Sequence, residues 1–125
     1  MAVNYRASLK TARMNLVKDD IDSGVGAGYI EICSAAYAAV LATIALSDPC
    51  GSVTGDILTL TMPKSDTSAD NTGTAAVARI KEVGGTVIVN NLTVGTAATD
   101  IILTSLLITA GDTVTLNSAT ITHAP

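Results

Sequence analysis

At 125 residues, the chain has the length of one ordinary domain. Its hydrophobic content of 48% and mean hydropathy of +0.46 exclude disorder, and a formal net charge of −4 argues against a nucleic-acid binder as a whole. Trp and Phe are absent and the only His is His123, so few groups exist from which an active site could be built.

The charge is unevenly spread. Arg6, Lys10, Arg13 and Lys18 are all the bases before Lys64, and no acid precedes Asp19, which makes residues 1–18 a basic arm on an acidic body. The start of the chain shows no apolar h-region or cleavage site, so Sec export is not expected. The longest apolar stretch, residues 35–46, is too short and too rich in Ala and Thr to span a bilayer, and no membrane association is expected. Cys33 and Cys50 read as two reduced, partly buried thiols and form no recognisable zinc site with one distant His.

In chain order, residues 5–21 read as a helix. Tyr5, Leu9, Ala12 and Leu16 share one stripe at a 3.6-residue period; Arg6, Lys10 and Arg13 form a neighbouring basic stripe; Met14, Val17 and Ile21 form a second apolar line. Such a helix touches its own body and has a second face for a partner. Tyr5, Arg6, Leu9, Lys10, Arg13, Leu16 and Val17 are therefore the candidate partner interface, against the plainer reading of a solvated basic face. Gly24 is placed to cap the helix. Gly24, Gly26 and Gly28 follow a helix, with no Gly-Lys-Ser/Thr after them, which argues against a phosphate loop.

A short strand is expected over residues 29–33, and residues 34–39 are ambiguous. Val40, Ala42, Ile44 and Leu46 then alternate with small or polar partners, and Ser47-Asp48-Pro49 ends that strand. Leu58, Leu60 and Met62 mark the next, with residues 64–74 a polar loop after Pro63. Ala76, Ala78 and Ile80 lead through a Gly84-Gly85 hairpin turn into residues 86–90. Residues 100–103 and 106–108 give two short strands. In the last strand the apolar positions change parity, from Val114 and Leu116 to Ala119 and Ile121, which predicts a β-bulge at Asn117-Ser118. About seven short strands predict a mainly β fold: an antiparallel β-sandwich or jelly-roll-like barrel, with an N-terminal α-helix. The expected division is an arm over 1–24 and a body over 25–125, within a single domain.

Among sites, Asp66, Asp70 and Asn71 could ligate calcium, but their spacing is not that of an EF-hand and they are ordinary turn residues. Asn91-Leu92-Thr93 is a formal sequon, read as chance. No acid–base pair or triad assembles. No cofactor, metal or small-molecule substrate is expected, and the chain does not read as an enzyme.

Leu41-Ala42-Thr43-Ile44-Ala45-Leu46-Ser47-Asp48-Pro49, Ser65-Asp66-Thr67-Ser68-Ala69-Asp70-Asn71-Thr72-Gly73-Thr74-Ala75 and Ile108-Thr109-Ala110-Gly111-Asp112-Thr113-Val114, with Lys10-Thr11-Ala12-Arg13-Met14 and Gly28-Tyr29-Ile30-Glu31-Ile32 before them, carry a resemblance. The chain resembles a family of small tailed-phage and prophage virion proteins over nearly its whole length. The resemblance implies a non-enzymatic capsid decoration (cement) protein on the virion surface. It would be made in the host cytoplasm and bound to the major capsid protein and to copies of itself as a homotrimer or homodimer. A tail, baseplate or fibre-associated role is the alternative, and a small glycan- or ligand-binding module a more distant one. Family members often carry large aromatics near Val77 and Ala78 and near Ala119, where this chain has small residues.

Overall fold

A computed structural model of the chain describes residues 5–23 and 26–123. The body is mainly β, with one N-terminal helix and a curled, open mixed sheet, in keeping with the sandwich- or barrel-like expectation. Helix α1 spans Ala7–Ile21, and Tyr5 and Arg6 precede it. Good helix formers fill it (Ala, Leu, Lys, Arg and Met). It ends where the Asp22 N–H donates to the Lys18 carbonyl, and the Lys18 ammonium lies 3.6 Å from the Asp22 carboxylate. The cap expected from Gly24 lies outside the described residues.

Eleven short strands follow among the described residues, more than the seven or so the alternation predicts. They are β1 (Tyr29–Cys33), β2 (Val40–Ala45), β3 (Gly51–Thr54), β4 (Ile57–Leu60), β5 (Lys64–Asp66), β6 (Gly73–Thr74), β7 (Val77–Lys81), β8 (Val87–Gly95), β9 (Ile101–Leu103), β10 (Leu107–Ile108) and β11 (Val114–Thr122). The predicted polar loop over 64–74 is corrected: it contains β5 and β6. The strand predicted over 86–90 runs on to Gly95. The Gly84-Gly85 hairpin is present, with Gly85 at φ +97°.

The main sheet runs β2-β1-β7-β8-β9-β11-β4-β3, with β5 beside β11. All its pairs are antiparallel except β8 with β9, where Val94 and Gly95 face Ile101 and Ile102. The expectation of a wholly antiparallel body is corrected there. Parallel pairing normally needs a long crossover; here only two residue pairs form. The turn is fastened by Asp100, whose carboxylate accepts from the Thr93 N–H at 3.0 Å and the Thr93 hydroxyl at 3.1 Å.

β11 organises the body. Its first half pairs with β5 (Val114 with Asp66), its second half with β4 (Ile121 with Leu58), and its other side with β9. The predicted bulge is present, with the register shifting between Leu116 and Ser118. Leu116 and Ala119 are both buried, so the shift keeps apolar side chains pointing inward on either side of it. The sheet curls until β5 lies near the open edge of β2. There the seam is closed by a loop and side chains, without a ladder. Asp70 N–H donates to the Leu41 carbonyl at 2.8 Å, the Asn71 side-chain amide to the Val40 carbonyl at 2.7 Å, and Thr43 N–H to the Asp66 carboxylate at 3.1 Å.

The core is built from Ile30, Ile32, Leu41, Ile44, Leu58, Ile80, Ile101, Leu103 and Leu116, with Met14 and Ile21 of the helix in the same cluster. Ala78 and Ala119, where the resembled family often has aromatics, are fully buried at 0% and 1% exposure, facing Leu92 and Ile101 across the ladder. Small side chains there let the strands carry the larger Ile and Leu around them.

On the outer face of β1 and β7, Glu31 lies directly opposite Arg79. Its Oε1 accepts from Arg79 Nε at 2.6 Å and lies 3.0 Å from Lys81 Nζ. The Arg79 guanidinium sits 5.0 Å from the ring centre of Tyr37, in a 3-10 turn at Ala35–Tyr37. Burial pushes the Glu31 carboxyl up, but hydrogen bonds and charge from Arg79 and Lys81 outweigh it and hold the group below its ordinary range. The stabilisation is therefore present above pH 4.5 and is lost as pH falls through the lower folded value. Glu31→Gln should destabilise the protein by about 2 kcal/mol near neutrality. The gap from the parent, read from urea midpoints, should narrow in acid; a gap of the same size at low pH would rule this account out.

Candidate contact surface

Helix α1 lies along the β3–β4 hairpin and is tied down at its second turn and at its C-terminal end. Thr11 Oγ1 donates to the Gly55 carbonyl at 2.6 Å, and Cys50 N–H donates to Asp22 Oδ1 at 2.9 Å. The dimensions match: eleven helical residues rise about 16 Å, as do five strand residues. Met14 and Ile21 are buried, and Val17 packs against the same core. One apolar line of the helix therefore belongs to the body.

The other line faces outward. Leu16 is 68% exposed, Leu9 39% and Tyr5 38%, and Ala12, Arg6 and Arg13 are exposed beside them. With apolar residues on both sides, the helix has no single polar face. Of the seven sequence-derived interface residues, five (Tyr5, Arg6, Leu9, Arg13 and Leu16) form this outward surface. Lys10 is half-buried, 4.0 Å from the Asp56 carboxylate, and Val17 points into the core contact. Among the described residues neither Arg6 nor Arg13 makes an ion pair.

Tyr5 folds back over the helix. The Arg13 guanidinium stands 4.7 Å from its ring centre, and the His123 ring meets it edge-on at 5.7 Å and 78°. His123 N–H donates to the Asp56 carbonyl at 2.8 Å, which places the end of β11 under the start of the helix. The sequence gives His123 no role beyond being the single histidine. A contact between residues so far apart in sequence leaves no periodic signal.

The remaining sequence motifs have structural occupations. Asp66 accepts from Thr43 N–H and Ser68 N–H, Asp70 from the Thr43 hydroxyl at 3.3 Å, and Asn71 holds β2. These groups tie a loop to a strand edge. Asn91, at φ +57°, donates its N–H to the Tyr37 hydroxyl at 2.6 Å, so the sequon asparagine marks an irregularity in β8. Gly24 lies outside the described residues. Gly28 is buried where a Cβ would stand 2.6 Å from the Lys81 carbonyl oxygen, so it serves close packing of helix end on sheet. Cys33 and Cys50 are buried free thiols. Among the described residues no three His, Cys, Asp or Glu side chains gather as a metal-holding group, and no helix is long and apolar enough to cross a membrane.

Comparison with protein-family models, with curated proteins and with solved structures finds no match for this chain.

Proposed function

We propose that this protein is a non-enzymatic structural component of a tailed-phage virion, a cement protein that decorates the outside of the capsid. The observation that carries the reading is the outward face of α1, where Tyr5, Leu9 and Leu16 are exposed with Arg6 and Arg13 on a helix whose other line is anchored in the core. An isolated domain gains nothing by exposing leucine on a helix it has already seated, whereas a partner surface does. The two arginines add orientation on an acidic partner. The family resemblance of the sequence supports the same assignment, with the major capsid protein as partner.

The test is cosedimentation with purified capsids that lack decoration. Binding should saturate at a fixed ratio to capsid subunits. Arg6→Glu combined with Tyr5→Ser should lower occupancy at least about tenfold, with the circular-dichroism spectrum unchanged. No binding would overturn the reading, and a handful of copies per particle would move the protein to the tail. Removing residues 1–18 is a poorer test than these substitutions, because it would also strip Met14 and Val17 from the core.

A further inference from the structure

The two most exposed large apolar residues among those described are Leu107, at 76%, and Leu16, at 68%. They lie in different places. Leu107 borders a groove of about 340 Å³ with Thr104, Ile108, Asp112 and Val114 among its walls. Leu16 stands on a helical ridge with Leu9 and Arg13, at i, i+4 and i+7.

The groove carries one acid, Asp112, and no base. The segments 66–71 and 109–113 are bonded together there, with Ala69 N–H donating to the Asp112 carbonyl and Gly111 N–H to the Ala69 carbonyl, both at 2.8 Å. Asp112 lines the groove, while the Asp66 and Asp70 carboxylates accept from Thr43 at the neighbouring β2 edge, and among the described residues none of the three is ion-paired. Lys64 is the base on β5, paired in the ladder with Leu116. The ridge carries the opposite charge. Arg13 stacks on Tyr5, and a guanidinium stacked on a ring still presents its edge N–H donors for a carboxylate.

Groove and ridge cannot meet within one molecule. The groove is walled by the first residues of β11, and the ridge rides on the hairpin that pairs with Thr120, Ile121 and Thr122. Six strand residues separate these levels by about 20 Å. Any contact between them joins two molecules.

We infer that the occupant of the groove is a second copy of this chain, whose Leu9–Arg13–Leu16 ridge docks between Leu107 and Val114 with Arg13 facing Asp112. The match is apolar against apolar and cation against carboxylate, and it uses the two large apolar side chains that are most exposed among the described residues. The inference rests on the reading of the helix face as a contact surface and divides that face between two partners. Arg6 and Tyr5, at the start of the helix, remain for the capsid.

The experiment is native mass spectrometry with sedimentation velocity on the full chain, in low and high salt, up to the high-micromolar range. The wild-type chain should self-associate, less so in high salt. Arg13→Glu and Asp112→Arg should each weaken association at least about tenfold, and the double charge swap should recover it to within about threefold. Leu16→Asp, with an unchanged circular-dichroism spectrum, should abolish it. A monomeric wild type, or a double swap no better than the singles, would overturn the inference. Capsid cosedimentation separates the two ideas. Self-association through this contact without capsid binding would leave the contact standing and remove the cement role, and capsid binding by a monomer would do the reverse.

Discussion

An alanine at position 51 is expected to destabilise the protein by about 3 kcal/mol, although it adds a single methyl group. Gly51 begins β3 and pairs with Leu60 of β4. A Cβ there would run into the Thr59 carbonyl oxygen and stand 2.8 Å from the Leu60 Cα. Both obstacles are backbone, so neither can swing aside; the strand itself must move. The damage should spread in a defined direction. The N–H of Cys50, the preceding residue, donates to Asp22 at the end of α1, and Thr11 of the helix bonds to Gly55 on the same hairpin. Urea midpoints should fall, and amide shifts should change in α1, β3 and β4 while β1 and β7 stay as they are. Gly55 supplies the control. It has φ +62° and open space around its Cβ position, so Gly55→Ala meets backbone strain alone and should cost about 1 kcal/mol. Equal costs at positions 51 and 55 would remove the steric explanation.

The second large effect is alkaline. Burial pushes the Cys50 thiol up to about 12, with the charge and hydrogen bonding of the Asp22 carboxylate adding to it. In the unfolded chain the thiol ionises near its ordinary value of 9, while the folded protein holds it neutral. The stabilisation is thus complete below pH 9 and is lost as pH rises from there toward about 12. Between about pH 8 and about pH 11 the wild type should lose roughly 3 kcal/mol more stability than Cys50→Ala does. The same burial predicts that iodoacetamide reaches Cys50 only after unfolding. Labelling of the native protein as fast as in urea, or identical alkaline limbs for parent and variant, would contradict this account.

How far the fold was legible depended on which strands carry their own apolar pattern. β1, β7 and the two halves of β11 were readable, because Ile30 and Ile32, Ala78 and Ile80, and Val114, Leu116 and Ala119 mark an inward face. Even the bulge showed, as a change of parity. β3 and β5 were not readable. Gly51-Ser52-Val53-Thr54 holds one large apolar residue and Lys64-Ser65-Asp66 none; their conformation comes from the partners β4 and β11, which a one-dimensional pattern does not contain. The helix was legible as two apolar lines on either side of a basic one. Which line turned inward was settled by tertiary packing, which buries Met14 and Ile21 in the common core. The Tyr5–His123 contact and the bonding of segment 66–71 to 109–113 bring together parts distant in sequence, and neither leaves a local trace.

The seam at β2 has a bearing on how such a molecule can associate at all. An open strand edge is a template: any extended chain can dock on its free N–H and C=O groups and prolong the sheet. Here the Leu41 and Val40 carbonyls and the Thr43 amide are already taken by the 66–71 segment of the same chain. Those groups are therefore closed to the edge-to-edge stacking that leads to fibres. At this edge, copies concentrated together are left to recognise one another by side chains, which a few substitutions can retune, and not by the backbone, which is alike in every protein.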